Sequence, residues 1–246
     1  MQAYDGFAGI YDLLMDDFDY PAWAKYYLKL LEADKQPVTS LCDCACGTGS
    51  MTLRFASEID KVIGVDISRE MLEPAAEKAR QMGVRAQFVC QDMARLQLAR
   101  PVDAITCACD GVNYLTTDAR LSAFFKAAYA ALKRGGRLAF DISSAYKLRH
   151  VLADQFYGEE RDEVAYLWQN RLEGDVLTMD ISFYIREESG LYRRVTETHR
   201  QRAYEADQLV RALTASGFGD VRIFGDRSFD APKPDELRLH FFARKQ

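Results

Sequence analysis

Short apolar runs alternate with stretches of helical periodicity from residue 38 to residue 142, and that rhythm narrows the choice of fold sharply. The runs at 38–44, 61–65, 86–90, 102–108 and 137–142 read as strands. Residues 50–58, 68–82 and 117–132 read as the intervening helices, with Ser68 as an N-cap, Gly83 as a stop and Gly135-Gly136 closing the third. Strands separated by helices imply right-handed βαβ units and a parallel sheet. Between 162 and 202 the pattern changes. Three runs with little helical character are separated by Glu173-Gly174-Asp175 and Glu188-Ser189-Gly190. In the middle run Leu177, Met179, Ile181, Phe183 and Ile185 alternate with polar residues and Tyr184, a period of two that marks a strand with one buried face. Helical spacing resumes over 205–216 and stops at Gly217. Two last strands are expected near 221–224 and 237–244. The expected fold is α/β: a doubly wound, mostly parallel seven-stranded sheet with an inserted three-stranded antiparallel meander. Its parts are an N-terminal helical cap at 1–34, an α/β core at 35–160, the meander at 161–203, and completion of the core at 204–246. Asp19 is the expected cap of a second helix in the N-terminal part, with Pro21 in its first turn.

With 246 residues, 48% of them hydrophobic, the chain has enough apolar surface for a full core. A net charge of −5 announces no strongly basic face, which argues against nucleic acid as a partner. No apolar run reaches the roughly 18 residues of a membrane span. The start, Met1-Gln2-Ala3-Tyr4-Asp5, lacks the pattern of a secretory signal. All six cysteines fall in the first half, within or next to expected strands, which suits a reduced, cytoplasmic protein better than a disulfide framework. Cys42, Cys44 and Cys46 are spaced two apart, roughly 6.6 Å along a strand. No histidine or second cysteine pair accompanies them at zinc-finger spacing, so small core side chains explain Cys42 and Cys44 better than a metal.

Chemistry concentrates where the first strand meets the first helix, in Leu41-Cys42-Asp43-Cys44-Ala45-Cys46-Gly47-Thr48-Gly49-Ser50. Glycines at such a junction let the backbone approach a ligand, and in open α/β sheets ligands sit beyond the carboxyl ends of the strands. The third glycine of a G-x-G-x-x-G fingerprint would fall at Thr52, so the dinucleotide pattern is imperfect. Asp66 ends the second strand, where a carboxylate can accept hydrogen bonds from both hydroxyls of an adenosine ribose. Asp92, in Gln91-Asp92-Met93, ends the third and can face an adenine amino group. Either aspartate alone could be a helix-start residue; the glycine turn and both carboxylates in order at consecutive strand ends form a constellation.

This constellation resembles the D-x-x-C-G-T-G motif and following segments of class I S-adenosylmethionine-dependent methyltransferases. The likeness runs through Val62–Ser68, Gln91-Asp92-Met93, Cys107–Leu115 and Leu132–Leu138, covering roughly 38–142. More loosely, residues 4–12 and 197–218 resemble small-molecule members such as sugar amine N-methyltransferases. The resemblance implies a soluble enzyme that moves a methyl group from S-adenosylmethionine to a nitrogen or oxygen of a small molecule, leaving S-adenosylhomocysteine. It implies that Asp43, Cys46, Gly47 and Gly49, with Ala45 in place of the first motif glycine, surround the methionine part. Asp66 would hold the ribose, Ile67 and Met71 the adenine, and Gln91, Asp92 and the Met93 backbone the adenine edge. Cys109 and Asp110 would open toward the substrate, and Tyr11 would close the pocket.

On the substrate side, His199 is a candidate for substrate contact or proton acceptance, with an exposed strand residue as the alternative. Tyr11 could orient the nucleophile or pack against the sulfonium, or be a core aromatic. Asp110 could bind a substrate ammonium or simply end a strand. Tyr166 and Trp168 could line a pocket or fill a sheet face, while His150 and His240 read as structural. Two other classes compete: a nicotinamide-dependent oxidoreductase, and a catalytically silent cofactor-binding or interaction subunit. The meander could cover the active site or build a homodimer contact.

Overall fold

The computed structural model describes residues 11, 12, 14–32 and 36–246. The helical expectation for 1–34 therefore falls partly outside the described residues. Helix α1 (Tyr20–Leu31) starts as expected: Asp19 accepts from the Ala22 N–H at 3.0 Å, and proline occupies the first turn. The α/β core follows as β1 (Ser40–Cys44), α2 (Ser50–Ala56), β2 (Lys61–Asp66), α3 (Arg69–Met82), β3 (Ala86–Cys90), β4 (Val102–Cys107), α4 (Asp118–Ala131) and β5 (Leu132–Ser143). Ser68 caps α3 through the Met71 N–H, and Gly83 ends it with φ +65°. After an antiparallel insertion, β6 to β9, the core closes with α5 (Ala206–Ala215), β10 (Phe218–Phe224) and β11 (Arg238–Lys245).

The large sheet has the order β10-β11-β5-β4-β1-β2-β3. Strands β1 to β5 pair in parallel, and β11 runs antiparallel to both β5 and β10. The strand order reverses at β1, which pairs with β2 on one side and β4 on the other; that is where open α/β sheets place a ligand. Alternate strand residues feed two cores. On one face Ile105, Leu138, Phe140 and Phe241 meet Phe124, Phe125 and Leu209 from α4 and α5. On the other, Leu41, Ala139 and Phe242 meet Trp23, Tyr27 and Leu30 from α1 and Phe55 from α2. Each large side chain fully removed from water stabilises the fold by roughly 1.5–3 kcal/mol. Cys42 and Cys44 lie in the first of these cores with their sulfurs 3.9 Å apart.

The insertion has one strand more than the meander expected from the sequence. Its order is β6 (Phe156–Glu160), β7 (Val164–Glu173), β8 (Val176–Arg186), β9 (Tyr192–Arg202), all antiparallel. β6 escapes a periodicity reading because it is an edge strand, almost wholly exposed, with no alternation to detect. The inner face is apolar on β8, with Leu177, Met179 and Phe183 buried. On β9 it is polar: Glu197, His199 and Gln201 alternate inward and are all buried. Trp168 packs beside Leu177 and Met179, whereas Tyr166 lies near Val164 and Phe183 and donates to Glu159, so both fill the sheet face. His240 is fully buried among Trp23, Tyr26 and Tyr27, and His150 sits on a short turn against Tyr146.

Candidate active site

A cavity of about 270 Å³ opens at the carboxyl ends of β1, β2, β3 and β4. Its first wall is the loop after β1. Ala45, Gly47 and Gly49 all have positive φ, at 53°, 54° and 77°. This left-handed path turns the loop so that the Gly47 N–H reaches Asp66 Oδ2 at 2.8 Å. Asp66 Oδ1 accepts from the Ser68 N–H at 2.9 Å, which locks the carboxylate at the tip of β2. A carboxylate has about four lone-pair positions, so two such bonds leave capacity for a pair of hydroxyls. Burial raises the Asp66 carboxyl above its ordinary value, opposed by these backbone N–H groups.

Asp43 is buried beneath the loop, and both of its oxygens are engaged, by Thr52 Oγ1 at 2.7 Å and Thr106 Oγ1 at 2.8 Å. Burial pushes its carboxyl up to about 6. It joins β1, β4 and α2, which shapes the loop from below. On the far side Ile67, Met71 and Met93 supply apolar wall around Asp92 and Gln91. Asp92 Oδ1 accepts from the Ala94 N–H and from Arg120, both at 3.0 Å, while Gln91 Oε1 holds the Gln97 N–H at 2.7 Å. The opposite end is aromatic: Tyr11, Tyr20 and Tyr114, with Cys109 and Leu115. Desolvation holds the Tyr11 and Tyr20 phenols and the Cys46 and Cys109 thiols well above their ordinary values, so all are neutral at pH 7.

The structure thus gathers Tyr11, Asp43, Ala45, Cys46, Gly47, Asp66, Ile67, Met71, Gln91, Asp92, Met93 and Cys109 around one cavity. Three expected site residues do not line it. Gly49 faces away, and an added Cβ would meet Ala75 Cβ at 2.9 Å and Phe88 at 3.1 Å; its glycine serves packing against α3 and β3. Asp110 is committed to protein partners, Gln201 Nε2 at 2.6 Å and Arg238 at 2.8 Å; the Arg238 charge holds its carboxyl low against the effect of burial. It is a turn residue with φ +54° in an internal ion pair, so its charge is already matched by Arg238. His199 is buried, contrary to the exposed alternative, and stands behind the wall with Nδ1 3.3 Å from the Tyr114 hydroxyl. Desolvation lowers its pKa to about 4.

Sequence reasoning missed Tyr20, Thr48, Met51, Tyr114, Leu115 and Arg120 in the wall. Thr48 and Tyr114 sit inside segments already singled out. Tyr20 and Arg120 carry no local signal, because they arrive from α1 and α4.

A protein-family model described as a methyltransferase domain matches residues 41–136, the stretch that builds the loop and both carboxylate tips. The solved structure of an S-adenosylmethionine-dependent methyltransferase from Clostridium acetobutylicum superposes with a TM-score of 0.90, at 33% identity over 98% of each chain. The chain belongs to the S-adenosylmethionine-dependent methyltransferases. A Geobacillus sp. (strain WCH70) protein, provisionally named a methyltransferase, is 35% identical over 98% of this methyltransferase and 99% of its own length. The dTDP-3-amino-3,4,6-trideoxy-alpha-D-glucopyranose N,N-dimethyltransferase of Streptomyces venezuelae is 26% identical over 85% of this chain and 89% of its own.

The cavity fits the cofactor of this family. A carboxylate at the tip of β2 suits ribose hydroxyls, the Ile67, Met71 and Met93 side chains suit a flat apolar ring, and the glycine-bearing loop admits a close backbone approach. Among the described residues, no helix is long and apolar enough to cross a membrane.

Proposed function

We propose that this methyltransferase modifies a nitrogen, in preference to an oxygen, of a small polar molecule. When bound, S-adenosylmethionine supplies a methyl carbon already activated by its sulfonium. The remaining task of the protein is to align the nucleophile and exclude water, and alignment can contribute up to ~7–11 kcal/mol. Asp66 and Asp92 would hold the adenosine, and Tyr11, Tyr20 and Tyr114 would surround the reacting end.

The observation that carries the nitrogen reading is the neutrality of that end. Tyr11, Tyr20 and Cys109 all keep their protons at pH 7, and Asp110 is taken up by Arg238. An unprotonated amine needs no base, whereas a hydroxyl does. The amino-sugar substrate named for the Streptomyces venezuelae relative supports the same choice. The imidazole nearest that end, His199 beyond Tyr114, is held neutral because desolvation lowers its pKa to about 4, which makes it a weak proton acceptor and supports the same choice. The free state of all six cysteines supports residence in the reducing cytoplasm.

Incubating the purified chain with metabolite extract and methyl-labelled cofactor, followed by mass spectrometry, tests the proposal. Label should enter amines of low mass. Label found only on hydroxyls would overturn the nitrogen reading. Tight S-adenosylhomocysteine binding with no label on any small molecule would overturn the small-molecule reading.

A further inference from the structure

The described N-terminal residues 11, 12 and 14–18 contact both the α/β core and the small sheet. On the core side the fastening is one carboxylate. Asp12 Oδ1 accepts from Thr48 Oγ1 at 2.6 Å, and Oδ2 accepts from Lys78 Nζ at 2.7 Å. Lys78 projects from α3 and also donates to Ser50 Oγ at 3.3 Å. Asp12 therefore ties three parts together: the segment, the loop after β1, and α3. On the other side Tyr11 and Leu14 pack toward Val164 and Phe183 of the small sheet, and Asp16 pairs with Arg161 at 3.0 Å. Between the two fastenings, Tyr11 is itself a wall of the cavity and hydrogen-bonds Tyr20.

The two contacts of Asp12 differ in strength. Thr48 is almost fully buried at 1% exposure, so its hydroxyl depends on a partner from within the protein, and that partner comes from a distant part of the chain. Lys78 and Asp12 retain 27% and 43% side-chain exposure, so their charge pair is partly screened. Tyr11 adjoins Asp12 in sequence. When Asp12 lets go of Thr48, Tyr11 loses its fastening to the core and keeps only its contacts with the small sheet and Tyr20.

We propose that Asp12 and Lys78 are positioning residues that latch Tyr11 over the cofactor cavity, and that this latch sets the rate at which an adenosyl ligand enters and leaves. The proposal rests on the cavity being the cofactor site. The Thr48–Asp12 bond is the stronger part, and Lys78 holds the carboxylate in the rotamer that reaches Thr48.

Release of tritiated S-adenosylhomocysteine from the purified chain, chased with unlabelled ligand, reads the latch directly, with association followed by stopped flow. Asp12→Ala should speed dissociation about tenfold or more, the loss of a charge-assisted hydrogen bond. Lys78→Ala, on a partly exposed helix position, should speed it about two- to fivefold, as for a partly exposed ion pair. Asp12→Asn should fall between them, since the amide oxygen still accepts from Thr48. The double variant Asp12→Ala/Lys78→Ala should match Asp12→Ala, because both act through one contact. Association should accelerate along with dissociation, which a merely structural role or a lost ligand contact would not produce. Unchanged dissociation in both Asp12→Ala and Lys78→Ala, or faster dissociation with unchanged association, overturns the latch and leaves the cofactor site standing. Failure of the unsubstituted chain to bind S-adenosylhomocysteine overturns the cofactor site itself, and the latch with it.

Discussion

Asp141 gives the sharpest test of how the turn beside the cofactor cavity is held. It lies on β5, is fully buried, and its carboxylate gathers four donors. Oδ1 accepts from Tyr27 Oη at 2.6 Å and from the Cys109 N–H at 2.8 Å; Oδ2 accepts from the Asp110 N–H at 2.9 Å and from Arg238. Cys109 and Asp110 are consecutive non-glycine residues with φ of 58° and 54°, a conformation that costs about 1–2 kcal/mol each. Asp141 over-determines that turn by taking both of its N–H groups. In Asp141→Asn the shape is kept, but one oxygen becomes an amide NH₂ facing donors, and the charge that offsets Arg238 is lost. Single hydrogen bonds to a charged group contribute ~1.5–3 kcal/mol, and removing one partner of a buried ion pair costs ~3–5 kcal/mol. These contributions share one carboxylate and do not add, so we expect a loss of about 3–5 kcal/mol. At about 2–4 °C per kcal/mol for a chain of this length, melting should fall by roughly 6–20 °C. Thermal melts by circular dichroism measure this, with S-adenosylhomocysteine titration alongside to follow Cys109 in the cavity wall. Tyr27→Phe removes one donor and leaves the carboxylate intact, so it should cost less than Asp141→Asn. Melting of Asp141→Asn within about 2 °C of the parent chain, with normal ligand affinity, would refute this account of the turn.

Three further outcomes are expected. Asp66→Ala should weaken S-adenosylhomocysteine binding by ~1–3 kcal/mol in calorimetry, since the ribose acceptor and the anchor of the Gly47 N–H go together; unchanged affinity would count against the ribose assignment. Gly49→Ala should destabilise the fold by ~1–3 kcal/mol in chemical denaturation, because the new methyl combines a left-handed φ with contact against Ala75; a neutral effect would mean that α3 yields easily. The pH dependence of stability should combine two opposing groups. Asp43 takes up its proton at about 6 when folded and 3.8 when unfolded, so its burial costs stability at neutral pH and the cost disappears as pH falls through this window, by roughly 3 kcal/mol. His199 stays neutral down to about 4 when folded and takes up a proton near 6.5 when unfolded, so its contribution is lost over nearly the same fall in pH, by about 3 kcal/mol. Asp43→Asn should therefore make stability drop more steeply on acidification from pH 7 to pH 4.5, and His199→Asn should make it rise relative to the parent. Parallel curves for all three proteins would contradict both assignments.

The legible part of the site was the part built from neighbours in sequence. Asp66, Ile67, Gln91 and Asp92 follow directly on the ends of strands, so recognising the strands was enough to place them at the cavity. The same reasoning succeeded for the caps at Asp19 and Ser68, which act within one helical turn. It failed where a local reading had to guess the partner. Asp110 ends a strand next to the site, but nothing in the sequence signals its ion-pair partner, Arg238, which lies 128 positions later. Gly49 belongs to the motif, yet its tight neighbour comes from α3. β6 could not be read because an exposed edge strand needs no hydrophobic alternation.

Periodicity and strand-end chemistry, written in the chain itself, decided that there would be a doubly wound sheet with a glycine loop and two carboxylates at its switch point. Backbone hydrogen bonding and the burial of apolar faces are local enough to leave that trace. Folding in three dimensions decided which polar groups remained available for chemistry. Asp110 was paired, Asp43 was closed off by two threonines, His199 was made neutral behind Tyr114, and Asp12 was brought onto the loop. A buried polar group takes its charge and its role from whatever lies within about 3 Å, and in this protein those partners come from distant parts of the sequence.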